Sequence, residues 1–506
     1  FMELFTKSLE EHGEYLFNAK RGFQISSNWG VLENHGLLFI GLALGKEIYT
    51  ETALKRLEQE VQIQIFSDGV HWEQSCMYHN EVLHCVLETI HMLQAWGRKI
   101  PEKITEAARR MAMVNVAWKK PDGCQPLTGD SDETNVEDML AVSAILLAKE
   151  GKKEAEVLKG CAGQYPDYES IWDLRREGAE IYERILGRVP QQTNFMLEES
   201  GNYYVRNNWE RNGEYLHFRN GCLGGGHGHN DKLHIDVVSE GEDVLVDAGR
   251  YQYTYHEKNR IWLKSAYAHN TLLVDNKDFM EYTDAWGSEY AAPELRISPI
   301  QKAGYLVLEG AHTGYLQKGV QVLLKRMVVV LEPGVYVLAD MAYTSEKHTY
   351  SRLFHFNNQG NLVCEDNRIV YNGTRAKMEL VFPQKNISFH RIESKISRHY
   401  NLCEKNEAVS AEAQGEGQIA MFAVLAGKQM QPIQVCMRSV YNPVRNCALK
   451  EEYAQGLYIR TDNHEYRLIF RYKDLTGPHD LLQMDSCMGI GRLLISADGE
   501  NTISFA

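Results

Sequence analysis

The spacing of apolar positions changes once along this chain. From residue 2 to about 187, apolar residues recur three and four positions apart, which is the spacing of one face of a helix. The clearest runs fall at 32–42, 82–90 and 139–146. The sequence Gly-Arg-Val-Pro at 187–190 ends this pattern. Successive helices with short links predict antiparallel helical hairpins.

From about residue 202 to the end, short β-rich runs alternate with turn residues. The predicted strands fall at 203–206, 215–218, 271–275, 320–331, 335–339, 419–425 and 466–472. Such a pattern is typical of packed antiparallel sheets. The sequence therefore predicts an α+β multidomain protein, with a helical domain over 1–190 and an antiparallel β-sandwich region over 200–506, subdivided near 385–415.

Composition narrows the class of protein. The 506 residues exceed one ordinary core, while 44% apolar and 24% charged residues are typical of a globular protein without a membrane span. Ten cysteines without a CxxC pair favour reduced thiols over zinc ribbons or a disulfide framework. No signal-peptide pattern follows Phe1, so we expect a cytoplasmic protein, or a periplasmic or secreted one if a leader has been removed.

The net charge of −14 disfavours nonspecific nucleic-acid binding. It leaves room for an acidic polymer as a partner, because a cleft can be locally basic on an acidic protein. The oligomeric state stays open, with a homodimer among the alternatives.

The stretch from 224 to 253 concentrates the polar chemistry. Three glycines precede His227 and His229, and Asn230 and Asp231 follow at once. Alternation from residue 233 predicts a half-buried strand, Glu240-Gly241 predicts a turn, and 243–247 predicts a second strand. A hairpin holds such groups rigidly, as both a metal site and a proton-transfer site require.

A second polar cluster precedes two predicted helices, at 28–36 (NWGVLENHG) and 68–79 (DGVHWEQSCMYH). One interpretation is purely structural: Asn34 and Asp68 cap helices and Tyr78 is an aromatic side chain at a rim. The density of Asn, His, Glu, Gln and Tyr in two short stretches favours a site instead.

Six motifs, in register along the chain, resemble those of the heparinase II/III-like polysaccharide lyases. They are NHG at 34–36, DGxxxEQSxxYH at 68–79, DGxxPxxGDSD at 122–132, GHGHND at 226–231, DAGxYxY at 247–253 and AHNTLLVD at 268–275. The resemblance implies an α/α toroid followed by an antiparallel β-sandwich. Toroids of the family carry more helices ahead of the NHG segment, so the toroid is expected to be incomplete here or to lack N-terminal residues.

The resemblance also implies the chemistry, a β-elimination that leaves a 4,5-unsaturated uronate. Lyases remove the C5 proton of a uronic acid and expel the 4-O-linked sugar, and the adjacent carboxylate must be neutralised. By resemblance, Asn34 and His35 hold the carboxylate, Tyr78 is the acid and for some epimers the base, and His227 is the base on the opposite face. A basic Tyr78 needs positive neighbours such as His35 or His79, because the unperturbed pKa of tyrosine is about 10.

Further candidates for substrate binding are more widely scattered. They are Glu73, Gln74 and His79 in the helical part, and Arg206, Tyr251, Arg260, His355 and His399 in the β-rich part. The arginines would supply a positive field for an acidic polymer. Histidines in β-patterned sequence are also often ordinary core or edge residues.

A metal site is implied by the same resemblance. In family members with these segments, the residues corresponding to His229, Asp247 and His269 bind a metal, commonly zinc. Two imidazoles and a carboxylate with an open fourth position suit Zn²⁺. We expect a structural metal that braces the hairpin carrying His227. The alternative is that His269 only packs at the start of a strand.

Two other classes of function remain to be weighed. HGHND is close to the HxHxDH signature of metal-dependent hydrolases, but Lys232 occupies the final His position. A toroid glycoside hydrolase would need two paired acids, and the spacing of Glu33, Glu73 and Asp130 singles out no pair. A non-catalytic carbohydrate-binding protein is the other alternative.

Among uronate polymers, glycosaminoglycans are favoured over alginate or oligoalginate, because EQSxxYH resembles the heparan sulfate lyase form of the tyrosine segment. The motifs do not determine sulfation pattern, epimer preference or endo versus exo action.

Overall fold

In the computed structural model, helices occupy the first part of the chain and antiparallel sheets the rest, as the sequence predicts. The structure describes residues 1–19, 22–163, 168–254, 257–477 and 479–505. The helices are α1 Met2–Asn18, α2 Asn28–Leu44, α3 Glu47–Gln64, α4 Cys76–Ala95, α5 Glu102–Trp118, α6 Glu137–Lys149, α7 Glu154–Cys161, α8 Tyr168–Arg184 and α9 Glu257–Lys264. Among the described residues, no helix combines the length and apolar character needed to cross a membrane.

Helix starts differ from the capping interpretation of the sequence. Helix α2 begins at Asn28, because the Ser27 hydroxyl accepts a hydrogen bond from the Trp29 N–H, and Asn34 therefore lies inside the helix. Helix α4 begins at Cys76 after the Ser75 cap. The Asp68 carboxylate instead accepts bonds from the N–H groups of Val70 and Ser200.

A large antiparallel sheet contains the first fifteen strands. They are β1 Phe195–Leu197, β2 Asn202–Arg206, β3 Tyr215–Arg219, β4 His234–Ser239, β5 Glu242–Leu245, β6 Leu272–Val274, β7 Glu294–Lys302, β8 Tyr305–His312, β9 Leu323–Glu332, β10 Val335–Phe356, β11 Asn361–Glu365, β12 Arg368–Asn372, β13 Lys377–Val381, β14 Ser388–His399 and β15 Leu402–Ala426. Its central pair, β10 and β15, runs antiparallel from Val335↔Ala426 to Phe356↔Glu407.

Two smaller sheets follow. The first contains β16 Gln434–Arg438, β19 Ala454–Arg460, β20 Glu465–Arg471, β23 Leu493–Ala497 and β24 Ile503–Phe505. The second contains β17 Tyr441–Asn442, β18 Cys447–Ala448, β21 Leu482–Met484 and β22 Cys487–Gly489. Strands β14 and β15 pair with each other within the large sheet, and the next strand, β16, belongs to the first of the two smaller sheets.

The helical domain packs directly on the first strands of the large sheet. Phe195, Tyr204, Tyr215 and Val238 belong to the same apolar core as helices α2 to α7. This contact explains a difference from the sequence pattern: β4 is buried at every position, because helices cover one of its faces and the sheet core the other. The turn after β4 is as predicted, with positive φ at Glu240 and Gly241.

A buried ion cluster supports the hairpin from beneath. Asp340 on β10 accepts from the Arg326 Nε at 2.6 Å and from the Arg352 Nε at 2.7 Å, and all three side chains are fully buried. Arg326 Nη1 also donates to the carbonyls of Leu233 and Asn270, each at 2.6 Å. Burial alone would raise the pKa of Asp340, but the two guanidinium groups hold it below its ordinary value.

We expect Asp340→Asn to lower the free energy of unfolding by about 3–5 kcal/mol, because it leaves two buried arginines without their counter-charge. Since the pKa of Asp340 is lowered in the folded state, its stabilisation is present above pH ~4 and is lost as pH falls through the folded-state pKa. Urea unfolding at pH 7 measures the effect. The exposed Asp366→Asn is the matched control, with an expected change within about 0.5 kcal/mol. An Asp340→Asn midpoint equal to that of the control would contradict the prediction.

Candidate active site

The glycine-rich loop before β4 presents its two histidines from a tight fold. A Cβ on Gly228 would lie 1.5 Å from the Leu223 carbonyl oxygen, so only glycine permits this fold between His227 and His229. Gly225 lies against the Trp72 ring and Gly226 against Trp286. The loop therefore lies between the segment that precedes α4 and the β domain.

One carboxylate from the helical domain holds both histidines. The Nδ1 of His227 lies 2.8 Å from Oδ2 of Asp130, and the Nε2 of His229 lies 3.1 Å from Oδ1. Arg260 donates to both oxygens at 2.8 Å. Burial would raise the pKa of Asp130, but Arg260 and the two imidazoles hold it well below its ordinary value. From the sequence, Asp130 was only a candidate acid, and its contacts with the two histidines were not predicted.

The ionised Asp130 fixes the tautomers of both rings. An ionised carboxylate only accepts hydrogen bonds, so the His227 Nδ1 and the His229 Nε2 carry the protons. The Nε2 of His227 is then the basic nitrogen of that ring. The Nδ1 of His229 keeps a lone pair, and this buried atom has no hydrogen-bond partner among the described residues.

Tyr78 on α4 lies directly against His227. The two rings stack with centroids 3.5 Å apart and planes 16° from parallel. The Tyr78 hydroxyl donates to the Tyr253 hydroxyl at 2.9 Å, and Arg250 Nη1 donates to the same Tyr253 oxygen at 2.7 Å. Arg250 also binds both oxygens of Asp132, at 2.8 and 2.7 Å, so this chain of contacts joins the two domains.

Burial raises the pKa of Tyr78, while the bond to Tyr253 and the charge of Arg250 oppose the rise. The positive neighbour is thus Arg250 and not His35 or His79 as expected from sequence. His79 cannot serve, because burial lowers its pKa to about 3 and its ring is held by the His71 N–H and the Met111 carbonyl.

Asn28 at the start of α2 is hydrogen-bonded to Glu73, which lies in the segment before α4. The Nδ2 of Asn28 donates to Glu73, at 2.9 Å to Oε2 and 3.2 Å to Oε1. Burial raises the pKa of Glu73, and the nearby His227 opposes that rise, which places Glu73 within electrostatic reach of the stacked rings. Asn28 belongs to the polar segment 28–36. The density of polar residues predicted that this segment contributes to a site, but it did not show which asparagine does so.

The structure does not bring Asn34 and His35 to Tyr78 and His227. Asn34 is buried and donates to the Gly30 carbonyl at 2.8 Å and to Glu60 at 2.9 Å. Asn34 follows Asn28 by six residues, so the two residues lie about 240° apart around the helix axis. His35 lies about 10 Å further along the helix axis than Asn28 and pairs with Glu88 at 3.0 Å.

The proposed metal ligands do come together. One ligand atom each from His229, Asp247 and His269 lies within 4.8 Å of the others, and all three residues are buried. The His269 Nδ1 lies 3.1 Å from Asp247 Oδ2, and its Nε2 has no hydrogen-bond partner in the described part of the chain. Two buried imidazole lone pairs beside one carboxylate fit a divalent ion of the zinc class.

A second cluster, Asp122, Cys124 and Glu133, is already neutralised. The Lys120 Nζ lies 3.2 Å from Asp122, 3.9 Å from Glu133 and 2.8 Å from Asp243. The two carboxylates of this cluster therefore already have a cationic partner within the protein.

Most of the scattered substrate-binding candidates have structural partners. Gln74 accepts from Arg219 at 2.6 Å and donates to the Ser200 carbonyl. Arg206 donates to the Ala117 and Lys119 carbonyls between the domains. The buried His355 pairs with Ser394 at 2.8 Å, and burial lowers its pKa to about 3.

The remaining candidates are Arg260, Glu73, Tyr251 and His399. Arg260 donates hydrogen bonds to Asp130, and Glu73 accepts a hydrogen bond from Asn28. Tyr251, at positive φ, donates its N–H to Ser397. His399 is exposed at the end of β14, and the following Tyr400 packs instead on Tyr253, with centroids 5.5 Å apart. Tyr253 and Tyr400 are aromatic side chains of the site that sequence reasoning missed, although Tyr253 lay within the DAGxYxY motif.

The geometry also weighs against the two hydrolase alternatives. Asp231, the acid of the HxHxD pattern, lies 2.5 Å from Arg219 Nε and is not among the three clustered ligands. Asp130 is bound by Arg260 and two histidines, so it does not form a free acid pair with Glu73.

Comparison with known proteins agrees with this architecture. Residues 190–435 match the family Heparinase II/III-like, C-terminal, and residues 1–148 match Heparinase II/III N-terminus. A heparin-sulfate lyase of Pedobacter heparinus is 22% identical over 291 residues, 55% of this chain and 40% of that protein. One from Bacteroides thetaiotaomicron is 25% identical over 280 residues, 51% of this chain and 37% of that protein. The chain thus aligns with less than half the length of either relative.

Among solved structures, a mutant heparan sulfate lyase from Pedobacter heparinus shares the fold, with a TM-score of 0.73 at 17% identity. The likeness covers 94% of this chain and 70% of that one. Because the two family matches together cover more than half of the residues and follow the helical and β regions in order, the chain belongs to the heparinase II/III-like family.

Proposed function

We propose that this protein is a polysaccharide lyase that cleaves uronic-acid-containing polysaccharides, with glycosaminoglycans as the favoured class, by β-elimination. The observation that carries the proposal is the stacked pair of Tyr78 and His227 between the domains, with Arg250 linked to Tyr78 through Tyr253. One neutral imidazole, one phenol hydroxyl and donors for a carboxylate are the groups that this reaction needs.

The stacked rings bear on the stereochemistry. A sugar ring does not fit between rings whose centroids are 3.5 Å apart, so the expected arrangement with the two groups on opposite faces is not present. We propose that both groups approach the uronate from one side. The His227 Nε2 then takes the C5 proton, the C4–O4 bond breaks as the C4–C5 double bond forms, and the Tyr78 hydroxyl protonates the leaving oxygen. Glucuronate, whose C5 proton and O4 lie on the same side, suits this geometry; iduronate does not.

Asn28 is the donor that we place against the substrate carboxylate. Glu73 fixes its amide, and burial raises the pKa of the Glu73 carboxyl. Arg250, held by Asp132, supports the Tyr78 hydroxyl through Tyr253.

A panel of heparan sulfate, hyaluronan, chondroitin sulfates and alginate tests the reaction class. We expect products with the ultraviolet absorbance of a conjugated unsaturated uronate, strongest on glucuronate-rich glycosaminoglycans. New reducing ends without this absorbance would identify a hydrolase. Turnover of alginate alone would move the proposal to the alginate-lyase alternative, and binding without turnover would favour a carbohydrate-binding protein.

Replacing the two asparagines separates Asn28 from Asn34. Asn28→Ala is expected to lower kcat by ~10²–10³, the cost of losing one donor to developing negative charge, and to lower stability by about 1–3 kcal/mol through the lost bonds to the buried Glu73. Asn34→Ala is expected to lower stability by about 1–3 kcal/mol, because it removes hydrogen bonds to the buried Glu60, with a smaller effect on kcat. The reverse pattern would return the carboxylate-binding role to Asn34.

We further propose that His229, Asp247 and His269 hold a divalent metal ion, zinc by preference. When bound, the ion supplies a structural cross-link between the loop carrying His227 and the strands beneath it. The chain's own residues support this role, since Asp130 holds His229 and Asp247 holds His269.

Chelation is therefore expected to lower the melting temperature of the wild-type protein, because a structural metal contributes to folding free energy. His229→Ala should melt lower than wild type, and its melting temperature should respond less to the chelator than that of wild type. The exposed His390→Ala is the control, and it should respond as wild type does. Metal analysis first checks that the chelator has removed the ion. If the wild-type melting curve is then unchanged, the bracing role is contradicted.

A further inference from the structure

A second group of metal-binding side chains meets in the helical domain, away from the stacked rings. The Nε2 of His35 on α2 lies 3.0 Å from Oε2 of Glu88 on α4, and the Nε2 of His84 lies 3.5 Å from the same oxygen. Three potential ligands from two helices thus converge on one point. Neither Tyr78 nor His227 takes part in these contacts.

The spacing along α4 makes this convergence a consequence of helix geometry. His84 and Glu88 are four residues apart, so they lie on the same face about one turn apart. His35 on α2 faces them because α2 packs along α4. The buried His35 Nε2 contacts the Glu88 carboxylate, and this contact is the main cause of the lowered pKa of Glu88.

The distances approach those of a coordination shell. Tetrahedral zinc with bonds of about 2.0–2.1 Å places neighbouring ligand atoms about 3.3 Å apart. The contacts of Glu88 with His35 and His84, at 3.0 and 3.5 Å, bracket that value. The distance between the ligand nitrogens of His35 and His84 is too long, since the three ligand atoms do not all lie within 4.8 Å of one another. His84 has to turn toward His35, and its side chain, 53% exposed, has the freedom to do so.

We propose that His35, His84 and Glu88 form a second metal site, open to solvent, for a divalent transition-metal ion of the zinc class. Two imidazoles and one carboxylate suit such an ion better than Mg²⁺ or Ca²⁺, which prefer oxygen ligands. His84 and Glu88 line a cavity of about 250 Å³ together with Phe39, His91, Met92 and Met139. Water or a small anion fits there as the remaining ligand. The bound ion ties α2 to α4 and so stabilises the helical domain.

Zinc binding to the full chain tests the site. Protein stripped with a chelator is titrated with Zn²⁺ and the bound metal is counted by equilibrium dialysis. Wild type is expected to bind one ion more per chain than His84→Ala at the same free zinc concentration. Glu88→Gln, which keeps the shape of the side chain, should weaken binding at this site by roughly tenfold or more. The exposed His12→Ala on α1 is the matched control and should bind as wild type does.

Thermal melting gives the second readout. Zn²⁺ added beyond the first equivalent is expected to raise the melting temperature of wild type and of His12→Ala, but not of His84→Ala or Glu88→Gln. The proposal is overturned if His84→Ala and Glu88→Gln bind zinc with the stoichiometry and affinity of wild type, or if wild type binds no ion beyond the one that His229→Ala removes. None of these measurements depends on lyase activity, so the failure of one proposal does not affect the other.

Discussion

Tyr78→Phe is expected to lower kcat by ~10²–10⁴-fold, because it removes the hydroxyl that protonates the leaving oxygen in the transition state. The phenyl ring can keep its stack on His227, so folding should change little. Steady-state rates from the absorbance of unsaturated products measure the effect. A circular dichroism melt in the same buffer checks the fold.

Tyr253→Phe is the matched control for the same network. It removes the hydroxyl that links Tyr78 to Arg250 but leaves the Tyr78 hydroxyl in place, so a smaller loss is expected. His227→Ala should match Tyr78→Phe on glucuronate-containing substrates if His227 is the base. Turnover of Tyr78→Phe near the wild-type rate would remove tyrosine from the mechanism and with it the main support for the lyase proposal.

Asp130→Asn is expected to impair both stability and activity. The amide cannot accept two bonds from Arg260, so a fully buried guanidinium loses its counter-charge, at a cost of about 3–5 kcal/mol. The same change loosens His227 and His229, and kcat should fall by at least ~10²-fold, because the imidazole tautomer is no longer fixed. Urea unfolding and initial rates measure the two effects.

The pH dependence of this stabilisation has a definite sign. The pKa of Asp130 is lowered in the folded state, so its contribution is present above pH ~4 and is lost as pH falls through the folded-state pKa. A double-mutant cycle with Arg260→Met gives the control: in the Asp130→Asn background this second change should cost much less than it does alone. Strictly additive losses would show that Asp130 and Arg260 are not coupled.

Much of the architecture could be predicted from sequence, because it follows from local periodicity. Helices α2, α4 and α6 lie where the apolar spacing placed them, and the change to strands follows the Gly-Arg-Val-Pro segment. The hairpin after the glycine-rich loop also follows from a local pattern, since Glu240-Gly241 needs the left-handed conformation. The lengths of β10 and β15 did not follow, because their pairing partners are far apart in sequence.

In the candidate site, too, some residues could be predicted from the sequence and others could not. The chain pattern singled out Tyr78, His227 and the group His229, Asp247 and His269, and the structure brings each set together. The choice of Asn28 over Asn34 depends on which side of α2 faces Glu73. That rotation is set by packing against α3 and α4, and no local rule fixes it.

The sequence by itself determined the order of the two domains, the position of the histidine hairpin and the types of side chain available for chemistry, because these depend on neighbours along the chain. The tertiary structure alone decided which groups share a proton or a charge. Asp130 is hydrogen-bonded to His227, His229 and Arg260, which follow it in the chain by about 100 to 130 residues. Arg250 is linked to Tyr78 through Tyr253. Such contacts arise when two domains fold onto each other, and burial at their junction then sets the pKa values on which the proposed reaction depends.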